Sequence, residues 1–154
     1  MDIIHDNAAD LSALNGKTVA VIGYGAQGRA QALCMRDSGV NVIIGVRPGK
    51  SFDAATQDGF QVMTVAEAAD KADIIHILLP DESHGSVYEA EIKPHLKAGK
   101  TLCCSHGFAY VFNTIVPPAD VDVIMVAPKG PGTEVRRVFE EGFGCPGLIA
   151  VHQN

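Results

Sequence analysis

Lys17-Thr18-Val19-Ala20-Val21-Ile22-Gly23-Tyr24-Gly25-Ala26-Gln27-Gly28 is the stretch on which the reading of this chain turns. Lys17–Ile22 is a compact apolar strand that stops at Gly23. From Ala26 to Ser38 the apolar residues Ala26, Ala30, Leu33 and Cys34 recur at i, i+4, i+7 and i+8, one face of a helix, and Gly39 closes it. A GxGxxG pattern is informative only between a strand and a helix, and here it has that context. Gly23 permits the tight turn, Gly25 lets the backbone approach a pyrophosphate, and Gly28 lets helix and sheet pack closely. The free N–H groups around Tyr24, Ala26 and Gln27, at the positive end of the helix, then hold phosphates. The competing reading is a glycine-rich turn with no ligand.

A second strand, Val40–Val46, follows, and Arg47 stands at its end, 19 residues after Gly28. An NAD-specific fold places Asp or Glu there to grip the ribose hydroxyls. Arg47, Lys50 and Ser51 instead offer a guanidinium, an ammonium and a hydroxyl, which suit the 2′-phosphate of NADP(H). One charge-assisted hydrogen bond of this kind contributes roughly 1.5–3 kcal/mol, or about ten- to hundredfold in preference. The bland alternative is a solvated basic turn.

The alternation continues to the end of the chain. Phe52–Asp58 reads as a short helix closed by Gly59, Gln61–Val65 as a strand and Val65–Lys71 as a helix. Asp73–Leu79 is a strand apolar on both faces and stopped by Pro80. Asp81 and Ser83 are placed to cap a helix running to about Lys93, before Pro94. Thr101–Cys104, Val121–Ala127 and Leu148–Val151 read as further strands, with a charged surface helix over Thr133–Glu141. Strands apolar on both faces and alternating with helices give an α/β fold: a doubly wound, mostly parallel, Rossmann-like sheet in three αβα layers. No linker interrupts residues 1–154, which read as a single domain.

Loops at the carboxyl ends of strands line the ligand crevice of such sheets. Asp81-Glu82-Ser83-His84 follows the fourth strand, as a cofactor loop or as a helix cap. Ser105-His106-Gly107 follows the fifth. His106 alone combines a strand end with a glycine neighbour, and it is the candidate catalytic residue. His76 lies inside an apolar strand and reads as a core residue, His84 borders the cofactor loop, and His5, His95 and His152 read as surface or terminal. No pair of histidines or carboxylates has metal-ligand spacing, so no metal site is expected, and there is no nucleophile elbow or P-loop.

Composition narrows the classes. The 154 residues are 47% apolar and 19% charged, enough for one real core and incompatible with general disorder. The 16 glycines, about one in ten against a ~7% background, fit tight turns and close backbone approach. A net charge of −6 without a basic stripe argues against nucleic acid. The apolar runs Ile77–Leu79 and Val123–Ala127 fall far short of the ~20 residues that span a bilayer. Met1-Asp2-Ile3-Ile4-His5-Asp6 lacks the basic start and apolar core of a secretory signal. Cys34, Cys103, Cys104 and Cys145 form no CxxC and read as reduced thiols, which fits a cytoplasmic protein.

Taken in order, Asp10-Leu11-Ser12, Gly23-Tyr24-Gly25-Ala26-Gln27-Gly28, Asp37-Ser38-Gly39 and Gly45-Val46-Arg47 resemble the amino-terminal domain of the ketol-acid reductoisomerase family. So do Pro80-Asp81-Glu82, His106-Gly107-Phe108, Ala127-Pro128-Lys129-Gly130-Pro131-Gly132 and Val135-Arg136, which extend the likeness over nearly the whole chain. The resemblance implies a branched-chain amino acid enzyme. It would convert acetolactate or acetohydroxybutyrate by a magnesium-dependent alkyl shift and reduce the product with NADPH. It further implies that Tyr24 to Gln27, Arg47, Ser51, Asp81 to His84 and Gly132 contact NADPH. By the same likeness His106 is the active-site histidine, and Lys129 supports the site electrostatically.

The sequence departs from the family pattern at several positions. His84 stands where Gln is usual, Thr133 and Arg29 stand where histidine is usual, and Cys103 and Cys104 precede Ser105 in place of small or aromatic residues. The family's carboxyl-terminal helical domain carries the magnesium-binding acidic residues, most of the substrate pocket and the main homo-oligomer interface. The expectation for this chain alone is therefore cofactor binding without the alkyl shift. Two rival readings stand beside it: a stand-alone NADP(H)-binding module, and a domain of another NADP-dependent reductase.

Overall fold

The computed structural model describes residues 3–5 and 8–154; part of the amino-terminal stretch read for a signal thus lies outside the described residues. Seven strands form one sheet: β1 (Thr18–Ile22), β2 (Asn41–Gly45), β3 (Gln61–Met63), β4 (Ile74–Ile77), β5 (Thr101–Cys104), β6 (Asp122–Pro128) and β7 (Gly147–Gln153). Their order is β3-β2-β1-β4-β5-β6-β7. The first six are parallel, and β7 returns antiparallel to β6. The chain winds outward from β1 to β3, then crosses back to place β4 on the other side of β1. The crevice between β1 and β4 is thus the switch point where such sheets take ligands.

Alternation along each strand feeds two cores. Ala20, Ile22, Ile43, Ile75 and Ile77 pack on one face with Val65, Ala68, Tyr88 and Ile92. Val21, Val42 and Ile44 pack on the other with Ala32, Ala55 and Phe60. Side chains two residues apart share a face, so near-continuous β-branched strands supply both layers at once. The covering helices are α1 (Ala26–Asp37), α2 (Lys50–Gln57), α3 (Val65–Lys71), α4 (Asp81–Val87), α5 (Phe108–Val111) and α6 (Gly132–Glu140).

The expected helix after Pro80 needs correction. Pro80 is the N-cap, and neither Asp81 nor Ser83 makes a capping hydrogen bond. Asp81 and Glu82 act instead as first-turn carboxylates at the positive helix end. Nor does the helix run unbroken to Lys93. It widens into a π turn at Tyr88–Ile92, whose two end residues are fully buried, and tightens to a 3-10 turn at Lys93–His95 around Pro94. Thr64 does make a reciprocal capping box with Glu67 at the start of α3.

His76 is a core residue, as expected. Ser105 explains its state by donor counting: the Ser105 hydroxyl donates to the Val126 carbonyl at 2.8 Å and has only lone pairs left. Gln31 Nε2 donates to it at 3.1 Å, and His76 Nε2 lies 3.2 Å away, so His76 is a neutral ring with its proton on Nε2. Burial pushes its pKa from 6.5 down to about 4. Cys103 and Cys104 are buried free thiols, and burial pushes Cys103 up to about 12.

The His76 shift has a definite sign. Below pH 6.5 the unfolded chain takes up a proton that the folded ring refuses, so stability is full above 6.5 and falls as the pH drops toward 4. Urea titrations of wild type and His76→Gln across that window should show the wild-type slope flattened in the variant; equal slopes would refute the assignment.

Candidate functional site

An open cleft of about 890 Å³ lies across the carboxyl ends of β1, β2, β4 and β5. Three loops build its walls: Gly23–Gln27 after β1, Arg47–Ser51 after β2, and Leu78–His84 after β4, with His106 at the far end.

The glycine loop is shaped by what a Cβ would strike. Gly23 has φ +99°, and a Cβ on it would lie 2.7 Å from the Leu78 carbonyl oxygen. On Gly28, a Cβ would overlap the Gly23 carbonyl oxygen. Gly25 differs: a Cβ there would meet nothing within 4 Å, and the residue is exposed on the cleft. No side chain caps α1, whose N-cap is Gly25. The first amides of the helix therefore face the cleft with no protein acceptor, an arrangement suited to an anion.

Arg47, Lys50 and Ser51 are all exposed on the opposite lip. Among the described residues neither cation is paired with a carboxylate, whereas Arg29, Arg36, Arg136 and Arg137 all are. Gly49, with φ +139°, turns the chain between them.

The remaining expected residues divide. Asp81, Ser83 and His84 face the cleft; Gly28, Glu82 and Gly132 are not on its wall. His84 is buried, and its Nε2 donates to the Leu79 carbonyl at 2.8 Å, leaving Nδ1 a buried acceptor with no partner. Gly132 is buried where α6 meets α1, and a Cβ on it would overlap the Ala26 carbonyl. Lys129 is exposed and off the cleft wall.

His106 is 66% exposed at its side chain. Its Nδ1 accepts the Phe108 N–H at 3.3 Å and lies 3.6 Å from Asp81 Oδ2, and its ring stacks on Phe108 with centroids 6.3 Å apart. With Nδ1 held as an acceptor, the neutral ring carries its proton on Nε2.

Two constellations escaped the sequence reading. Gln27 Nε2 donates to the Gly130 carbonyl at 2.8 Å and its Oε1 accepts from Gln31, so the amide expected to serve the cleft also ties α1 to the loop before α6. The Tyr24 hydroxyl donates to Asp58 Oδ2 at 2.8 Å, where Arg29 also binds. The i, i+4 spacing of Gln27 and Gln31 was a readable signal; the distance of Asp58 from the loop in sequence gave none.

Residues 13–154 match the family model described as acetohydroxy acid isomeroreductase, NADPH-binding domain. The chain is 97% identical, over its full length, to 47% of the ketol-acid reductoisomerase (NADP(+)) of Akkermansia muciniphila. It is 59% identical over 98% of its length to 46% of the corresponding enzyme of Methanococcus maripaludis strain C5. A solved structure, an NADH-preferring ketol-acid reductoisomerase from an uncultured archaeon, superposes with a TM-score of 0.96 at 58% identity. That match covers all of this chain and 48% of the other. The chain spans about half the length of the curated relatives it matches.

The glycine geometry separates packing from ligand access. Gly132→Ala forces backbone apart and should cost about 1–3 kcal/mol. Gly25→Ala, which enters open space, should leave the melting temperature nearly unchanged. Calorimetry showing the reverse order would overturn this account of the two glycines.

Proposed function

The chain belongs to the acetohydroxy acid isomeroreductase (ketol-acid reductoisomerase) family as its NADPH-binding domain, and on that premise we propose which of its residues hold the cofactor and what the whole enzyme does. The carrying observation is the meeting of two unsatisfied features across one cleft: bare amides at the start of α1 and the cations Arg47 and Lys50. They fit a dinucleotide with an added phosphate. Backbone N–H groups of the Gly23–Gly28 turn would hold the pyrophosphate, with Tyr24, Gly25, Ala26 and Gln27 forming the wall. Arg47, Lys50 and Ser51 would take the 2′-phosphate. Asp81, Ser83 and His84 would border the other half of the cofactor, with Glu82 adding charge behind them. Gly28 and Gly132 would serve by packing α1 in place.

When bound, NADPH supplies the hydride for reduction. His106 would then be the chain's contribution at the reacting end: its Nε2–H would donate a hydrogen bond to a substrate oxygen or a bound water. The reaction proposed for the whole enzyme is conversion of 2-acetolactate or 2-aceto-2-hydroxybutyrate to the dihydroxy acid, in valine and isoleucine synthesis. Among the described residues no group of three His, Cys, Asp or Glu side chains could hold a metal ion, so magnesium is assigned no step on these side chains.

A further domain, and a homo-oligomer in the whole enzyme, are proposed partners of the exposed apolar surfaces. Phe108, Val111 and Phe112 near His106, and Leu148, Ile149 and Val151 on β7, are exposed apolar side chains that such partners would cover. No helix among the described residues is long and apolar enough to cross a membrane, and a cytoplasmic location is part of the proposal.

The 58% identical relative titled as NADH-preferring makes cofactor choice the sharpest test. By titration, NADPH should bind at least about tenfold tighter than NADH, and Arg47→Ala should lower NADPH affinity about tenfold with little change for NADH. Equal affinities in the wild type would defeat the phosphate assignment. In the full-length enzyme, His106→Ala should lower kcat about a hundredfold or more while NADPH affinity holds; unchanged turnover would remove His106 from the chemistry.

A further inference from the structure

The cofactor-reading end of α2 has no side-chain cap to fix it. Lys50 and Ser51 are its first residues, its N-cap Gly49 provides no side chain, and its hold on the sheet is apolar: Ala55 is buried, and Phe52 and Ala54 pack half-buried on the same core. Apolar contact of that kind is non-directional, and it leaves the spacing of Arg47, Lys50 and Ser51 from the glycine loop to be set by something more specific.

The other end of the helix supplies the constraint. Asp58, the C-cap of α2, is held from two directions. Its Oδ2 accepts the Tyr24 hydroxyl at 2.8 Å and Arg29 Nε at 2.6 Å, and its Oδ1 accepts Arg29 Nη2 at 2.9 Å. Its carbonyl accepts Arg36 Nη1 at 2.6 Å. Tyr24 belongs to the glycine loop, and Arg29 and Arg36 belong to α1. The cluster is closed by Phe60, which meets the Tyr24 ring edge-on at 5.9 Å and carries the Arg36 guanidinium at 4.8 Å. Asp58 is 18% exposed against 56% for Arg29, so the fork is partly shielded from water. The carboxyl is held down at about 2, chiefly by the Arg29 hydrogen bonds, and stays charged at neutral pH.

We propose that Asp58 is a positioning residue that locks α2 to the glycine loop through Tyr24 and Arg29, and thereby sets the preference for NADPH over NADH. The inference rests on the reading that Arg47, Lys50 and Ser51 receive the 2′-phosphate. The pyrophosphate contacts, common to both cofactors, lie on the glycine loop itself. Loosening α2 therefore weakens only the contacts that NADPH has and NADH lacks.

The test compares NADPH and NADH dissociation constants for wild type, Asp58→Asn, Arg29→Gln, Tyr24→Phe and Arg47→Ala, with amide hydrogen exchange over residues 47–54. Asp58→Asn should lower the NADPH-to-NADH preference about fivefold, with NADH affinity moving less than about twofold. Exchange over 47–54 should quicken while that of α1 does not. Arg29→Gln, a change at a mostly exposed side chain, and Tyr24→Phe should each give part of the effect, and neither should add fully to Asp58→Asn. An unchanged preference, a parallel loss for both cofactors, or tighter NADPH binding through a freed Arg29 would each overturn the proposal. If Arg47→Ala lowers the preference and Asp58→Asn does not, the positioning role alone falls. If Arg47→Ala also leaves it unchanged, the phosphate reading falls, and the selectivity role with it.

Discussion

The rest of the structure depends on backbone packing against backbone around the start of α1. Gly23 sits against the carbonyl of Leu78, Gly28 against that of Gly23, and Gly132 against that of Ala26. Any side chain at these three positions would push β1, β4, α1 and α6 apart. Because they close so tightly, the first turn of α1 is delivered to the switch point of the sheet without a side chain to cap it. The orphan amides of that turn are a cost to an unliganded helix, and they become favourable only when an anion accepts from them.

Charge is distributed to match. Arg136 bridges Asp37 and Glu140, Arg137 bridges Glu134 and Glu141, and Arg29 is forked on Asp58. These pairs are mostly exposed and add little to stability one by one. Their effect is to leave Arg47 and Lys50 as the cations of the cleft rim. A chain with net charge −6 can thus attract an anionic cofactor locally while remaining acidic overall.

The parts of this fold governed by short-range patterns were legible from the residues. The β1–Gly23–α1 unit, the both-sided apolar strands and the helix-closing glycines each depend on neighbours a few positions apart, and their boundaries fell within a few residues of the structure. The capping role of Asp81 and Ser83 was misread because both residue types favour N-caps, whereas Pro80 with its fixed φ took the position instead. The π turn at Tyr88–Ile92 answers to the burial of both side chains, which depends on strands elsewhere in the chain. At the site, Arg47, Lys50 and Ser51 were readable because a single loop carries them. The Tyr24–Asp58–Arg29 cluster was not, because Asp58 is 34 residues from Tyr24 and no local rule pairs a C-cap aspartate with a glycine-loop tyrosine.

Tyr24 shows how one residue can answer two demands. Its main chain belongs to the loop that faces the cleft, where a large side chain pointing inward would crowd a ligand. The structure turns the ring away, buries it against Phe60, and satisfies its hydroxyl on Asp58. A smaller residue would leave Asp58 with the Arg29 fork alone and would remove the apolar contact that orients it. The tyrosine ring, packed on Phe60, therefore braces an exposed glycine turn of little intrinsic rigidity from behind, independently of the hydroxyl that reaches Asp58. That bracing makes the open side of the loop usable: the amides are already oriented when an anion arrives, so less ordering remains to be done on binding.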